Sequence, residues 1–152
     1  MATPFVTECA FPTPSKQAAG LINNTPTQVH SMAFTDKILI TISQSGKLSH
    51  WVHVPLSLNS ADPMNPAIQS SSADNSLLPM SHLTATTILG GTKPEDEVVG
   101  QTLATTIGSA LLMRNPAEER LLVIGMGIEK AAENLTGRAQ FDEAVGLVLE
   151  VL

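Results

Sequence analysis

Five places in this sequence hold residue types and spacings from which chemistry could be built. Gly125-Met126-Gly127-Ile128-Glu129-Lys130 follows an apolar run and resembles the opening of a dinucleotide-binding loop, in which glycines let the backbone approach a pyrophosphate at a helix N-terminus. The third glycine position holds Lys130, and only 22 of the 152 residues remain after it, too few for a βαβ unit with its acidic ribose partner. A strand-end turn is the better reading. Gly90-Gly91-Thr92-Lys93 has the composition of a phosphate loop, but it lacks the upstream glycine and reverses the order of Lys and Thr. His50 and His53 are three residues apart; on a strand they point to opposite faces and cannot hold one ion together. They read as half-exposed strand histidines. Cys9 lies in a proline-rich opening stretch with no positioned base, which a thiolate nucleophile requires. Ser109, in Gly108-Ser109-Ala110, falls inside a helical pattern and not at a strand-to-helix elbow. No titratable groups converge. The sequence therefore predicts no catalytic residue, no cofactor and no metal, and a protein that is not an enzyme.

Composition narrows the partners. There are 14 Asp and Glu against eight Lys and Arg, a net charge of -6, and no basic run, which argues against nucleic acid or an anionic membrane. No apolar run approaches the ~18 residues of a spanning helix, and no signal peptide opens the sequence. The single cysteine, Cys9, excludes an internal disulfide and fits a reducing compartment. The sequons at Asn23 and Asn134 carry no weight without a secretory signal. The length suits one domain with its own core.

Residues 26–56 carry the strongest pattern. They read as a meander of three strands, 27–34, 38–44 and 48–56, broken at Thr35-Asp36 and Ser45-Gly46. The middle strand is dense in β-branched residues, which suit a pleated, half-buried surface. With Gly46 left-handed in a three-residue bulged loop, Ser43 opposes Lys47 and Ile40 opposes His50. One face then holds Ile38, Ile40, Ile42, Leu48, Val52 and Val54, and the other Leu39, Thr41, Ser43, Ser49, Trp51 and His53. A two-residue loop would mix these sets and waste apolar burial, so the bulged register is expected. The second face still carries Leu39 and Trp51, which are either ordinary core or a patch that meets a partner.

Around the meander, residues 1–14 read as a disordered tail and 17–22 as a short edge strand. Residues 57–81, rich in Ser, Asn, Asp and Pro and without a period, read as a flexible insertion. A fourth strand is expected over 82–89, ended by Gly90-Gly91. A helix follows, with a Thr92/Glu95 capping box, Pro94 in its first turn, and Val99, Leu103, Ile107 and Leu111 as its stripe beside Ala104 and Ala110. Arg114-Asn115-Pro116 ends it, with Asn115 suited to a left-handed cap. Residues 120–124 read as a strand buried on both faces, 125–137 as a loop, and 138–152 as a second helix. Its stripe is Phe141, Ala144, Val145, Val148, Leu149 and Leu152; Leu147 and Val151 fall off it, which predicts apolar contact on more than one side.

In order and spacing, the chain from Ser15 onward resembles the proteasome assembly chaperone 3 family. The resemblance is carried by Ser15-Lys16-Gln17, Pro26-Thr27-Gln28-Val29, Ala33-Phe34, Ile38-Leu39, Gln44, Gly46-Lys47 and the run from Thr86 to Gly90, followed by the long helix, the strand Leu121-Leu122-Val123-Ile124-Gly125 and the last helix. The tail and the 57–81 segment exceed the usual family length, and His50-Trp51-Val52-His53 departs from its pattern. The resemblance implies an α/β (α+β) domain over 15–152: an antiparallel β-sheet of five to six strands with two main α-helices, one sheet face serving dimerisation. It also implies a non-catalytic helper that pairs with a related chaperone, the fourth of the set, or with itself when alone. The pair holds alpha subunits of the 20S core particle while the alpha ring forms, in the cytoplasm and nucleus. Leu39, Thr41 and Trp51 are the expected partner contacts. The alternative is a small α/β scaffold of a signalling or trafficking complex.

Overall fold

Between residues 15 and 55 apolar residues tend to alternate with polar ones, and the backbone follows as four strands. The computed structural model describes residues 8–10, 13–57, 80 and 82–152. The expectations for 1–14 and 57–81 fall for the most part outside these residues. The elements are β1 (Ser15–Ile22), β2 (Thr25–Ala33), β3 (Lys37–Gln44), β4 (His50–Pro55), β5 (Thr86–Leu89), α1 (Pro94–Arg114), β6 (Leu121–Gly127), α2 (Ala131–Asn134) and α3 (Arg138–Leu149). They build an α+β fold, a six-stranded and mostly antiparallel sheet in the order β1-β2-β3-β6-β4-β5. The edge strand expected over 17–22 is β1; a two-residue turn with Asn23 and Asn24 both at positive φ (47° and 60°) joins it to β2, the backbone that two-residue hairpins favour.

The expected meander breaks after its second strand. Ser45 and Gly46 both have positive φ, and Lys47 N–H donates to Gln44 O at 3.2 Å. The turn is therefore a two-residue one bridging Gln44 and Lys47, and the bulged register with Ile40 opposite His50 is wrong. The pairing stops there because β6 enters between the two strands, parallel to β3 and antiparallel to β4. A central apolar strand gains a ladder on each side, so it displaces the β3–β4 ladder that the hairpin would have formed. The face sets nevertheless survive. Ile40, Ile124 and Val52 stand side by side in one row, and Ile38, Leu122 and Val54 in the next. All six are buried, because alternation belongs to each strand whoever its neighbour is. Leu48 is the exception: it precedes β4 and is exposed.

Both main helices lie on one face of this sheet, α1 against β4 and α3 against β1, and they touch each other. Leu103, Ala104, Ile107 and Leu111 of α1 enter the same core as Ile40, while Val99 packs at its margin. The capping box does not form: Lys93 is the N-cap and no side chain caps it. Pro94 in the first turn and three acids from Glu95 to Glu97 suffice to start the helix. Asn115 ends it in an extended conformation, not a left-handed one. Its side-chain oxygen accepts from Ala117 N–H, so the turn closes without positive φ. The fourth strand is shorter than expected, Thr86–Leu89. β6 runs on to Gly127, and α2 occupies part of the stretch read as loop. β6 is fully buried on the helix side only; on the other face Leu121 and Val123 are half-buried. The last helix stops at Leu149, short of the expected 152; Leu147 within it and Val151 just past its end are both buried, the former beside Gly20 of β1.

Ile40 and Leu103, each with no exposed surface, belong to one core. Ile40→Ala or Leu103→Ala is expected to cost about 2–5 kcal/mol, read as a shift of the denaturant midpoint. A near-neutral result for both would contradict the shared core.

Candidate functional site: the helix-free face of the sheet

Among the described residues, no helix covers the second face of the sheet. The pairing registers lay out its rows. One runs Met32, Leu39, Val123, His53; the next runs His30, Thr41, Gly125, Trp51. The three residues expected to contact a partner thus share this face, in two adjacent rows, although Leu39 and Thr41 are not on a neighbouring strand of Trp51. β6 separates them, and Gly125 stands between Thr41 and Trp51. A methyl at Gly125 would come within 2.8 Å of Cη2 and Cζ3 of Trp51. The missing side chain is what lets the indole lie flat across β6 toward β3. A register shift between Trp51 and Val52 brings Leu89 opposite Trp51, where it is 65% exposed.

Leu39, Val123, Trp51 and Met32 are each half-buried by their own sheet. The rest of their apolar area faces outward. With Leu89 and Leu121 they make a continuous apolar band across five strands. Sequence patterning brings out Leu39 and Trp51 but not Val123 and Leu121, whose place in the band depends on where β6 lies, nor Met32, whose place beside Leu39 depends on the β2–β3 register. The alternation Leu121, Val123, Gly125 was the available signal.

The other chemical candidates find structural uses. His50 and His53 point to opposite faces as expected, but His50 is buried, not half-exposed. It shares the parity of Val52 and Val54, and its row neighbours are Met126 and, beyond it, Ile42. Gly91 and Gly100 clasp its ring: a methyl on either would collide with imidazole atoms. His50 Nε2 lies 3.1 Å from Thr87 Oγ1, which also accepts from Gln101 Nε2 at 3.2 Å. Burial pushes the His50 pKa below its ordinary value, against the pull of Glu97 and Asp96. The ring borders a cavity of about 170 Å³ beside Asp96, whose Oδ1 accepts from Ala132 N–H. Ser109 Oγ donates to Thr105 O and accepts from Met80 N–H. Cys9 is exposed. Gly125 and Gly127, read as a turn, lie inside β6. No cluster of three or more His, Cys, Asp or Glu suited to a metal occurs among the described residues, and none of their helices is long and apolar enough to cross a membrane.

Because folding lowers the pKa of His50, the unfolded chain binds a proton more readily than the folded one. This contribution to stability is intact above the unfolded value of 6.5 and falls away as pH drops through it toward the folded value. Urea midpoints measured from pH 7.5 to pH 5 are expected to decline more steeply for the native chain than for His50→Gln. Parallel declines would show that His50 is not protected from protonation.

Neither a family model nor a curated protein sequence matches this chain. Among solved structures it is similar to a chain described as "Crystal Structure of a Novel Chaperone Complex for Yeast 20S Proteasome Assembly", with a TM-score of 0.57 and 17% sequence identity over 92% of this chain and 98% of that one. At this identity the likeness is one of fold: nearly the whole of that chain shares this one-sheet, helix-covered architecture.

Proposed function

We propose that this chain is a non-catalytic assembly chaperone of the 20S proteasome core particle. It acts as half of a dimer with a related chaperone and promotes alpha-ring formation. The observation that carries the reading is one-sided cover: a six-stranded sheet with helices on one face and an apolar band on the other. Contiguous apolar surface facing outward is a feature of interaction sites. A fold shared with a chain from a proteasome-assembly chaperone complex supports the same reading. In it, Leu39, Thr41 and Trp51 contact the partner chaperone, with the flat indole of Trp51 as the anchor. Tryptophan is enriched among residues that dominate interface energies.

The chain, tagged and isolated under native conditions, is expected to bring down proteasome alpha subunits and a second small chaperone. A partner list made up of signalling or trafficking components would favour the scaffold alternative and overturn this one. Within the pair, Trp51→Ala is expected to weaken partner affinity by about 2 kcal/mol, roughly 30-fold, and to leave the denaturant midpoint of the isolated chain nearly unchanged. A variant that unfolds while keeping its affinity per folded molecule would place Trp51 in the core.

A further inference from the structure

Apolar burial does little to hold β5 in place. It is a four-residue edge strand with no buried residue, and Ile88 and Leu89 are 55% and 65% exposed. Its ladder to β4 joins Trp51 to Leu89, Val52 to Thr87 and His53 to Thr86, with a register shift between the first two pairs. A strand this short, with so few apolar contacts, belongs to the part of a fold that opens most easily. A relay of polar groups fastens it from the helix side. Gln101 Nε2 of α1 donates to Glu97 Oε1 at 3.3 Å and to Thr87 Oγ1 of β5 at 3.2 Å. Thr87 Oγ1 in turn lies 3.1 Å from His50 Nε2 of β4.

The direction of this relay follows from Glu97. A carboxylate only accepts, so it draws the NH2 end of the Gln101 amide toward itself. The two amide hydrogens then go to Glu97 and Thr87, and Thr87 Oγ1 is an acceptor from Gln101. The hydroxyl's own hydrogen is left for His50, whose Nε2 must accept it. His50 is therefore neutral, with its proton on Nδ1. Burial favours the same neutral form, against the carboxylates of Asp96 and Glu97 on α1. β5, β6, α2 and the turn at Gly90-Gly91-Thr92 bring no titratable side chain to the ring or to the cavity beside it. A second proton, on Nε2, would turn that nitrogen into a donor. Thr87 would then receive two hydrogens and lose the acceptor for its own, and a polar group deprived of its partner is costly. We infer that Glu97, Gln101, Thr87 and neutral His50 form a directional latch that holds β5, and with it Leu89, beside Trp51, and that a proton on His50 Nε2 releases it. Through Leu89 the latch sets one end of the apolar band from the opposite side of the sheet, whatever that band binds.

A released ring takes up its proton at the ordinary value of 6.5, the latched ring only below it. Opening is therefore favoured as pH falls through 6.5. Hydrogen exchange read peptide by peptide, and corrected for the intrinsic effect of pH, tests the latch. Protection of residues 84–91 in the native chain is expected to fall about tenfold between pH 7.5 and pH 5. Urea up to about 1 M should leave exchange of this segment unchanged, because a local opening exposes little surface, while exchange of residues 25–44 rises with urea. His50→Gln, which cannot take up the proton, should show no fall with pH. Thr87→Val keeps the shape and strand preference but not the hydroxyl, and should lower protection of 84–91 about tenfold at pH 7.5. Thr87→Ser restores the hydroxyl and should recover most of that loss. If thermal unfolding shows that Thr87→Val has lost its fold, Gln101→Met, which removes the donor to Thr87, takes its place with the same loss expected. Protection of 84–91 that is independent of pH in the native chain would overturn the inference, as would an equal fall in His50→Gln. So would a hydroxyl-free variant within twofold of the native chain, or exchange of 84–91 as sensitive to urea as that of 25–44.

Discussion

The insertion of β6 between β3 and β4 is the constraint on which the rest of the structure depends. Both of its ends are secured by satisfied polar groups. Where β6 begins, Arg120 makes two bonds of 2.7 Å to the buried Glu118 and a third, of 3.1 Å, to Phe34 O in the β2–β3 turn. These hydrogen bonds hold the Glu118 carboxyl below its usual range. Leu121 N–H donates to Asp36 O in the same turn. Just beyond its other end, the buried amide of Gln44 accepts from Glu129 N–H and donates to Thr27 Oγ1. Gln44 thus ties β2, β3 and the exit of β6 together. A buried amide left without partners is costly, so these bonds resist any slip of β6 along its neighbours. Close backbone approach at Gly127, against the carbonyl of Lys47, gives a further steric stop.

This insertion also makes the helix-free face what it is. It widens the sheet with a strand whose outward residues are Leu121, Val123 and Gly125. The first two join Leu39 to Trp51 in one band, and the third is small enough to leave the indole flat. A β3–β4 hairpin would have placed Trp51 on the strand next to Thr41 with no glycine beneath it. On the opposite face, α1 and α3 consume the apolar rows centred on Ile40, Ile124 and Val52. Two helices bury one side of six strands, and the chain has no third long helix among the described residues for the other. The functional reading depends on this asymmetry between the faces.

Buried histidine follows from the same geometry. Parity places His50 on the helix side, in the row of Met126 and Ile42, where an imidazole fits only because Gly91 and Gly100 leave room. Its polar edge is met by Thr87. Of the residues that first suggested chemistry, His50, Ser109 and the glycines at 125 and 127 are accounted for by packing and hydrogen bonding.

Much of the fold was legible in the sequence because its signals are local. Period-two alternation sorted Ile38, Ile40, Ile42, Val52 and Val54 onto one face and Leu39, Thr41 and Trp51 onto the other. Proline, acidic residues and the Leu103-Ile107-Leu111 spacing marked α1, and Leu147 and Val151 announced a second contact side for the last helix. Side-chain direction on a strand or helix is a property of that element's own dihedrals, so it does not depend on neighbours. What the sequence could not reveal was which strand lies beside which. The pairing of β6 with β3 and β4 joins residues 66 to 84 positions apart. A backbone ladder uses the same N–H and C=O groups whatever the side chains, so nothing local encodes its partner. That choice was settled by burial: Leu122, Ile124 and Met126 are hidden beneath α1 and α3 only if β6 runs through the middle of the sheet. The burial of His50, the flat seating of Trp51 over Gly125 and the continuity of the band from Leu39 to Leu89 all followed from that tertiary decision.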